Sequence, residues 1–347
     1  MGISTKPGYG RKIKSFLSRE LPSHIIIAHK ALLLYVLITY QLLIFTPFDR
    51  FPFLPFVPFF DAIPSFVFTG LIFILFAAIF ASFLKIANYR LLSLVSGSII
   101  LILILSSKTL FSNSLTFVSC LLILIGFYRE KDSLFRIQIA LLYIGASTNK
   151  MIDPDWWNGN YFDFFFREIF DVTLYQSWVP ENSLAVAKSF GIATIFTELF
   201  LGLAVLVPKI TRLTIIIGVL FHASMLVATS GRLSNIFFYI MGAAFLMISR
   251  INIQSFQLSH TFKALPKLIS YLDPSDSVIA NNQSKGGFTL QTENETFRGI
   301  QAIIKILFSK QAILSLFFIL FMLHMRTGFI VSHIIHPILS VTKRLMY

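Results

Sequence analysis

The run SFVFTGLIFILFAAIFASFL, residues 65–84, carries no charged side chain. As an α-helix it reaches about 30 Å at ~1.5 Å per residue, the thickness of a bilayer's hydrocarbon core. The pattern recurs along the chain. Stretches 25–46, 65–86, 91–107, 109–127, 133–149, 187–207, 212–230, 235–250 and 311–333 all read as membrane helices. The sequence is 56% hydrophobic and 13% charged, where soluble domains carry about 25% charged residues. The apolar runs are continuous rather than alternating, which excludes a membrane β-barrel. The expected fold is an all-α polytopic membrane protein, with eight or nine transmembrane helices in one bundle and an additional amphipathic helix at the interface.

A net charge of +13 raises the question of a nucleic-acid partner, and its distribution answers it. The basic residues flank the apolar runs, as in membrane proteins that keep positive loops inside and attract anionic lipid. With the N-terminus cytoplasmic, the inner segments collect Lys6, Arg11, Lys12, Lys14, Arg19 and Lys30, then Lys85, Arg90, Arg129, Lys131, Arg136, Lys209 and Arg212. They also hold the basic residues of 250–310. The expectation is a multi-pass integral membrane protein whose partner is the lipid bilayer, with no nucleic acid. Cys120 is the single cysteine, so an internal disulfide and a cysteine-based metal site are excluded, and no metal is expected.

Four segments follow from these runs: a basic cytoplasmic stretch over 1–24, a membrane domain over 25–250, a polar cytoplasmic loop over 251–310, and an apolar helix and tail over 311–347. The loop is rich in Ser, Asn and Gly, and is expected to be partly disordered because it can bury little surface. Asn282 and Asn294 begin glycosylation patterns that this topology leaves unmodified in the cytoplasm.

Polar groups inside the apolar runs mark where the bundle has an interior. Glu198 precedes Pro208 by ten residues and His222 follows Arg212 by ten. Both therefore sit about 15 Å from the same membrane face and are expected at matched depth, within hydrogen-bonding reach of each other. On the preceding helix, Arg136, Ala140, Tyr143, Ser147 and Lys150 recur at helical spacing along one stripe, opposite Leu134, Ile137, Leu141 and Ile144. The small and polar stripe is expected to line an interior, with Gly145 and Ala146 permitting close packing. Lys150 is followed by MIDPDWWNGNYFDFFF. Its bland reading is a snorkelling lysine above an aromatic belt, with aspartates capping the turn. Its sharper reading is an inward lysine, desolvated by aromatics, that serves as a general base. Phe162, Phe165, Phe166, Ile169 and Phe170 are expected on one face of the interfacial helix, roofing a cavity reached from the lipid.

Taken in order, Arg136-x-Gln138, Tyr143, Lys150, Asp155-Trp156-x-x-Gly159, Glu198, Arg212, His222 and Phe238-Tyr239-x-Met241, with FHASM at 221–225 and FFYIMGA at 237–243, resemble the vitamin K-dependent γ-carboxylase-like membrane domain, also called the HTTM domain. The resemblance covers roughly residues 20–250. It implies that Lys150 is a base acting on a reduced, vitamin K-like quinone, that oxygen is consumed, and that the site opens to the external side. It makes Lys150 and His222 the catalytic candidates, and Tyr143, Glu198, Trp156, Asn113 and Arg136 the substrate-binding ones. The chain departs from the family at Asn149, where γ-carboxylases have a first lysine, and at Asn113-Ser114, where they have Asn-His. MIDPD is one residue longer than its family counterpart. Residues 251–347 hold no counterpart of the large substrate-binding domain, so a small or lipid-soluble substrate is expected rather than a peptide. The alternative is a non-catalytic protein, such as an export, immunity or assembly factor, that reuses the fold. Inverted repeats and paired broken helices, which would suggest a transporter, are not evident.

Overall fold

The apolar runs fold as helices whose ends are set by local chemistry. Asn88 accepts from the Arg90 amide at 2.8 Å and Ser112 from the Leu115 amide at 3.0 Å, each satisfying an amide that an α-helix leaves unpaired at its start. The computed structural model describes residues 21–39, 54–84, 88–129, 131–180, 183–228, 235–248, 256–259, 278–281, 289–291, 296–299 and 301. Two units divide the chain, Met1–Ser249 and Arg250–Tyr347.

Every regular element among the described residues of the first unit is a helix. Its elements are α1 (Ser23–Thr39), α2 (Ser65–Phe83), α3 (Tyr89–Ser106), α4 (Asn113–Gly126), α5 (Ser133–Ile152), α6 (Pro154–Asn158), α7 (Asn160–Phe164), α8 (Thr173–Trp178), α9 (Ala185–Ala204), α10 (Thr211–Ala228) and α11 (Asn235–Ile248). Among the described residues three helices, α2, α3 and α9, are long and apolar enough to cross a membrane. Shorter apolar helices lie at His24–Leu37, Asn113–Gly126 and Tyr239–Ile248. These helices are compatible with a membrane protein.

Close packing depends on glycines. A methyl group at Gly97 of α3 would lie 2.9 Å from the Ser119 carbonyl of α4, and one at Gly202 of α9 would lie 2.7 Å from Ile144 Cγ1 of α5. Gly145 was the glycine expected to let α5 pack closely, yet a methyl group there meets nothing within 4 Å. It lies on the exposed side of α5, and the close approach is made by Gly202 on the partner helix.

One apolar core runs through α1–α5 and α9–α11. A second, smaller core joins Trp156, Phe162, Phe166, Tyr175 and Val179 to Ala187, Ile195 and Met225. The segment expected as one amphipathic helix is instead broken into short pieces. Gly159 takes φ +94°, in the left-handed region that favours glycine. Phe165–Ile169 then winds as a π-turn, with the Phe170 amide donating to the Phe165 carbonyl at 2.8 Å. Gly159 lies before the expected face, and the π-turn within it shifts the helical phase, so that face splits: Phe162 and Phe166 are buried while Ile169 is exposed.

In the second unit, the stretch expected to be partly disordered contains four short strands in the order β2-β1-β3-β4: β1 (Phe256–Ser259), β2 (Val278–Asn281), β3 (Thr289–Gln291) and β4 (Thr296–Arg298). β1 pairs parallel with β2 and antiparallel with β3, and β3 pairs antiparallel with β4. Short β-branched and apolar clusters within the polar sequence account for them. The basic residues before Leu21, Asn282, Asn294 and the ninth apolar run lie outside the described residues.

Gly191 of α9 lies directly against the Trp156 carbonyl, leaving no room for a side chain. Gly191→Ala is expected to cost about 1–3 kcal/mol through overpacking, while Gly145→Ala leaves stability unchanged or raises it by up to ~1 kcal/mol through helix propensity. Thermal unfolding in detergent checks the pair, and equal melting temperatures for the two variants would contradict this packing.

Candidate functional site

α5 presents the stripe that its spacing predicts. Arg136, Ala140, Tyr143 and Ser147 are buried and Lys150 is half-buried, while Leu134, Ile137 and Leu141 on the opposite side are exposed. The stripe packs on α9, α10 and α11, and each polar member finds a partner there.

Arg136 stands at one end as a strap. Its Nε and Nη2 donate to Asp132 Oδ2 at 2.9 and 2.7 Å, Nη1 donates to the Val205 carbonyl at 2.9 Å and Thr211 Oγ1 at 2.7 Å, and Nη2 also donates to the Ile248 carbonyl at 3.2 Å. A guanidinium is thus shared by the C-terminal ends of α9 and α11 and the start of α10, where unpaired carbonyls favour a cation. Arg136 lies about 21 Å along the helix from Lys150. The structure therefore places this predicted substrate-binding residue away from the lysine and gives it a structural task.

Two hydrogen-bonded pairs occupy the rest of the stripe. Tyr143 Oη lies 2.8 Å from His222 Nε2 of α10, and the tyrosine ring stacks on Phe245 of α11. Two turns further on, Lys150 Nζ donates to Glu198 Oε2 of α9 at 2.7 Å. Between them Ser147 Oγ donates to the Ile195 carbonyl at 2.9 Å. Glu198 and His222 were expected at matched depth, within hydrogen-bonding reach of each other. The structure corrects this: α5 lies beside both helices and supplies a partner to each.

The Lys150–Glu198 pair is partly open, with side-chain exposures of 17% and 12%. The ammonium also lies 4.9 Å from the centre of the Trp156 ring, a cation–π distance. Trp156 is buried, stacked on Tyr161 at 3.9 Å and set edge-on to Phe162 at 5.2 Å. The adjacent tryptophans have different settings. Trp156 is a wall of the lysine's surroundings, whereas Trp157 is exposed and donates through Nε1 to the Met151 carbonyl at 2.9 Å. The aspartates do serve the turn: Asp153 accepts from the Asp155 amide, and Asp155 accepts from Asn158 and Asn160. Asn113 lies exposed in the first turn of α4 and takes no part in these hydrogen bonds.

Residues 153–179 form a cap on α9. Within it Tyr175 Oη donates to Asp163 Oδ1 at 2.6 Å, and Arg167 Nε donates to the same oxygen at 3.0 Å. Burial first, then the hydrogen bond to Asp163 and its negative charge, push the Tyr175 hydroxyl up to about 12, with the Arg167 guanidinium opposing. Tyr161 is raised as well, by burial and then by the charges of Asp153 and Glu198.

A second polar cluster escaped the sequence reading. His29 of α1 is fully buried, with Nε2 3.0 Å from Ser82 Oγ of α2 and Nδ1 2.7 Å from Ser93 Oγ of α3. Ser82 spends its proton on the Ala78 carbonyl at 2.9 Å, so it accepts from Nε2–H and Ser93 donates to Nδ1. This assigns a neutral imidazole with both nitrogens satisfied, a polar staple joining three helices. Serines on apolar helices are common enough to give no warning in the sequence.

Among the described residues no group of three or more His, Cys, Asp or Glu side chains is placed to hold a metal ion. The chain matches no protein-family model, no curated protein and no solved structure.

Two predictions follow from this geometry. Lys150→Met or Glu198→Gln alone is expected to cost about 3–5 kcal/mol, because each leaves or strands a charge in an apolar setting. The double variant is expected to cost much less than the sum. A double-mutant cycle of unfolding free energies checks the pair, and additive costs would show it uncoupled. The second prediction concerns pH. A tyrosine whose pKa is raised on folding contributes stability below its unfolded value of about 10 and loses it as pH climbs to about 12. Cap stability is therefore expected to fall over that window, and Tyr175→Phe to weaken the dependence. Tryptophan emission against pH reads this directly, since all 3 tryptophans lie in the cap.

Proposed function

We propose that the chain is a multi-pass integral membrane protein of eight or nine spans in one bundle, with a cytoplasmic N-terminus, of the HTTM, γ-carboxylase-like type. We propose further that it carries out quinol- and oxygen-dependent chemistry on a small or lipid-soluble substrate, with Lys150 as its base. The observation that carries this reading is the Lys150 ammonium held between the Glu198 carboxylate and the Trp156 ring, at the end of an inward polar stripe.

The donor set suits a reduced quinone. Such a molecule needs a basic group for its hydroxyl and an aromatic neighbour for its ring, and Lys150 lies over the Trp156 ring, which stacks on the half-buried Tyr161. A bound quinol supplies an acidic hydroxyl and the electrons that oxygen accepts. The chain's own part is proton handling. In an apolar setting, an ion pair has a neutral alternative in which the Nζ–H bond breaks and an Oε2–H bond forms. Glu198 then holds the proton and Lys150 presents a free amine to an acidic hydroxyl. Tyr143 lies two turns back along the same stripe, paired with His222 of α10, and the pair offers a polar support for an oxygen that gains charge.

A non-catalytic protein is the second reading. It is favoured by the completeness of the lysine's contacts, which include the Ala146 carbonyl at 3.4 Å as well as Glu198. In that case the pair only joins α5 to α9.

The two readings separate in an assay of purified protein in nanodiscs, given a panel of reduced quinones under oxygen, with mass spectrometry for an oxygen-added product. Wild type is expected to form product, and folded Lys150→Ala to lose about 10²-fold or more of the rate. Absence of product from wild type across the panel would favour the non-catalytic reading.

A further inference from the structure

The cap over residues 153–179 is apolar on two sides. Its inner side supplies Trp156, Phe162, Phe166, Tyr175 and Val179 to the second core. It also exposes Trp157, Phe164, Ile169 and Trp178, the last at 80% of its full surface, and Ile152 at the end of α5, directly before the cap in sequence, is 75% exposed. A water-facing cap has no reason to present large apolar side chains on its outer side. An exposed apolar patch with a polar rim marks an interaction surface, and Glu168 and Asp171 are exposed in the same segment.

Contacts with α9 point to what covers it. Trp157 meets Phe196 of α9 edge-on at 6.4 Å. Phe196 is itself exposed, as are Phe200 and Leu203 further along a helix long and apolar enough to cross a membrane. The apolar surface of the cap therefore continues the apolar surface of that helix. Both ends of the cap are also tethered, one to α5 and the other to α9. Charge points to the apolar part of the leaflet rather than to anionic headgroups, because acidic side chains outnumber basic ones over 153–179.

We infer that the cap is seated in the outer leaflet of the bilayer through Ile152, Trp157, Phe164, Ile169 and Trp178. This rests on the reading of α9 as a membrane span and of the α5–α9 connection as external. The seated face differs from the one the Phe-rich sequence suggests, because Phe162 and Phe166 are spent on the protein core. The seat has a consequence for the site. Trp157 shares a five-residue helix with Trp156, so lipid contact by the first holds the second over Lys150.

The test needs no turnover, so its failure is distinct from failure of the quinol assay. Full-length protein is placed in nanodiscs of phosphatidylcholine carrying bromine on its acyl chains, and tryptophan emission is compared with unbrominated discs. Trp178→Phe and Trp157→Phe, both exposed positions, isolate each contribution by difference. The expected result is that bromolipid quenches the emission lost in each variant, that aqueous iodide quenches it little, and that added anionic lipid does not change this. Emission from Trp178 and Trp157 that iodide quenches and bromolipid does not would overturn the seat.

Discussion

A lysine and a glutamate set largely out of water in apolar surroundings leave a fold little freedom. Either charge alone costs several kcal/mol, and the cost is recovered only when geometry brings them together. Lys150 and Glu198 meet at 2.7 Å, and that meeting fixes the rotation and the height of α5 relative to α9. Gly202 permits the approach by admitting Ile144, and the bond from Ser147 to the Ile195 carbonyl pins the register between them. With this register set, Tyr143 is carried to His222 and Arg136 to the carbonyl ends of α9 and α11. One pairing thus organises a stripe that runs the length of α5.

The cap extends the same logic. Gly159 and Gly191 let the chain lie against α9 where a side chain would not fit. The turn they allow places the Trp156 ring against the lysine. The ammonium then has a carboxylate on one side and an aromatic face on another, while part of it remains open. An arrangement of this kind can hold a cation and can also release its proton to the neighbouring carboxylate. That dual capacity makes the pair a candidate for chemistry as well as for strength.

Much of this was legible in the sequence, and the failures have physical causes. The α5 stripe could be read because a regular helix repeats faithfully over the roughly four turns from Arg136 to Lys150. The positions of Glu198 and His222 along their helices were countable, but their partners were not, because counting residues gives height and not rotation, and a third helix lay beside both. The Phe-rich face was misread because a π-turn over Phe165–Ile169 shifts the phase that a regular α-helix would have kept. Of two adjacent tryptophans, one turned inward for the same reason that neighbours on any helix point about 100° apart. His29 was passed over because its partners are two serines from two other helices, which no local pattern links. The strands after residue 250 are only three or four residues long, too short for alternation to stand out from a polar background.

Under the proposed function, Lys150 does chemistry that its pairing with Glu198 alone does not explain. Exchanging the two charges tests it most directly. Lys150→Glu combined with Glu198→Lys keeps an ion pair between α5 and α9 while removing the amine from beside Trp156. Quinol turnover would be measured on the exchanged protein after confirming that it unfolds at a temperature close to wild type. The account predicts a folded protein with its oxygen-added product lost. Turnover restored to the wild-type rate would contradict it, because the pair would then matter as a strap and not for which residue carries the amine.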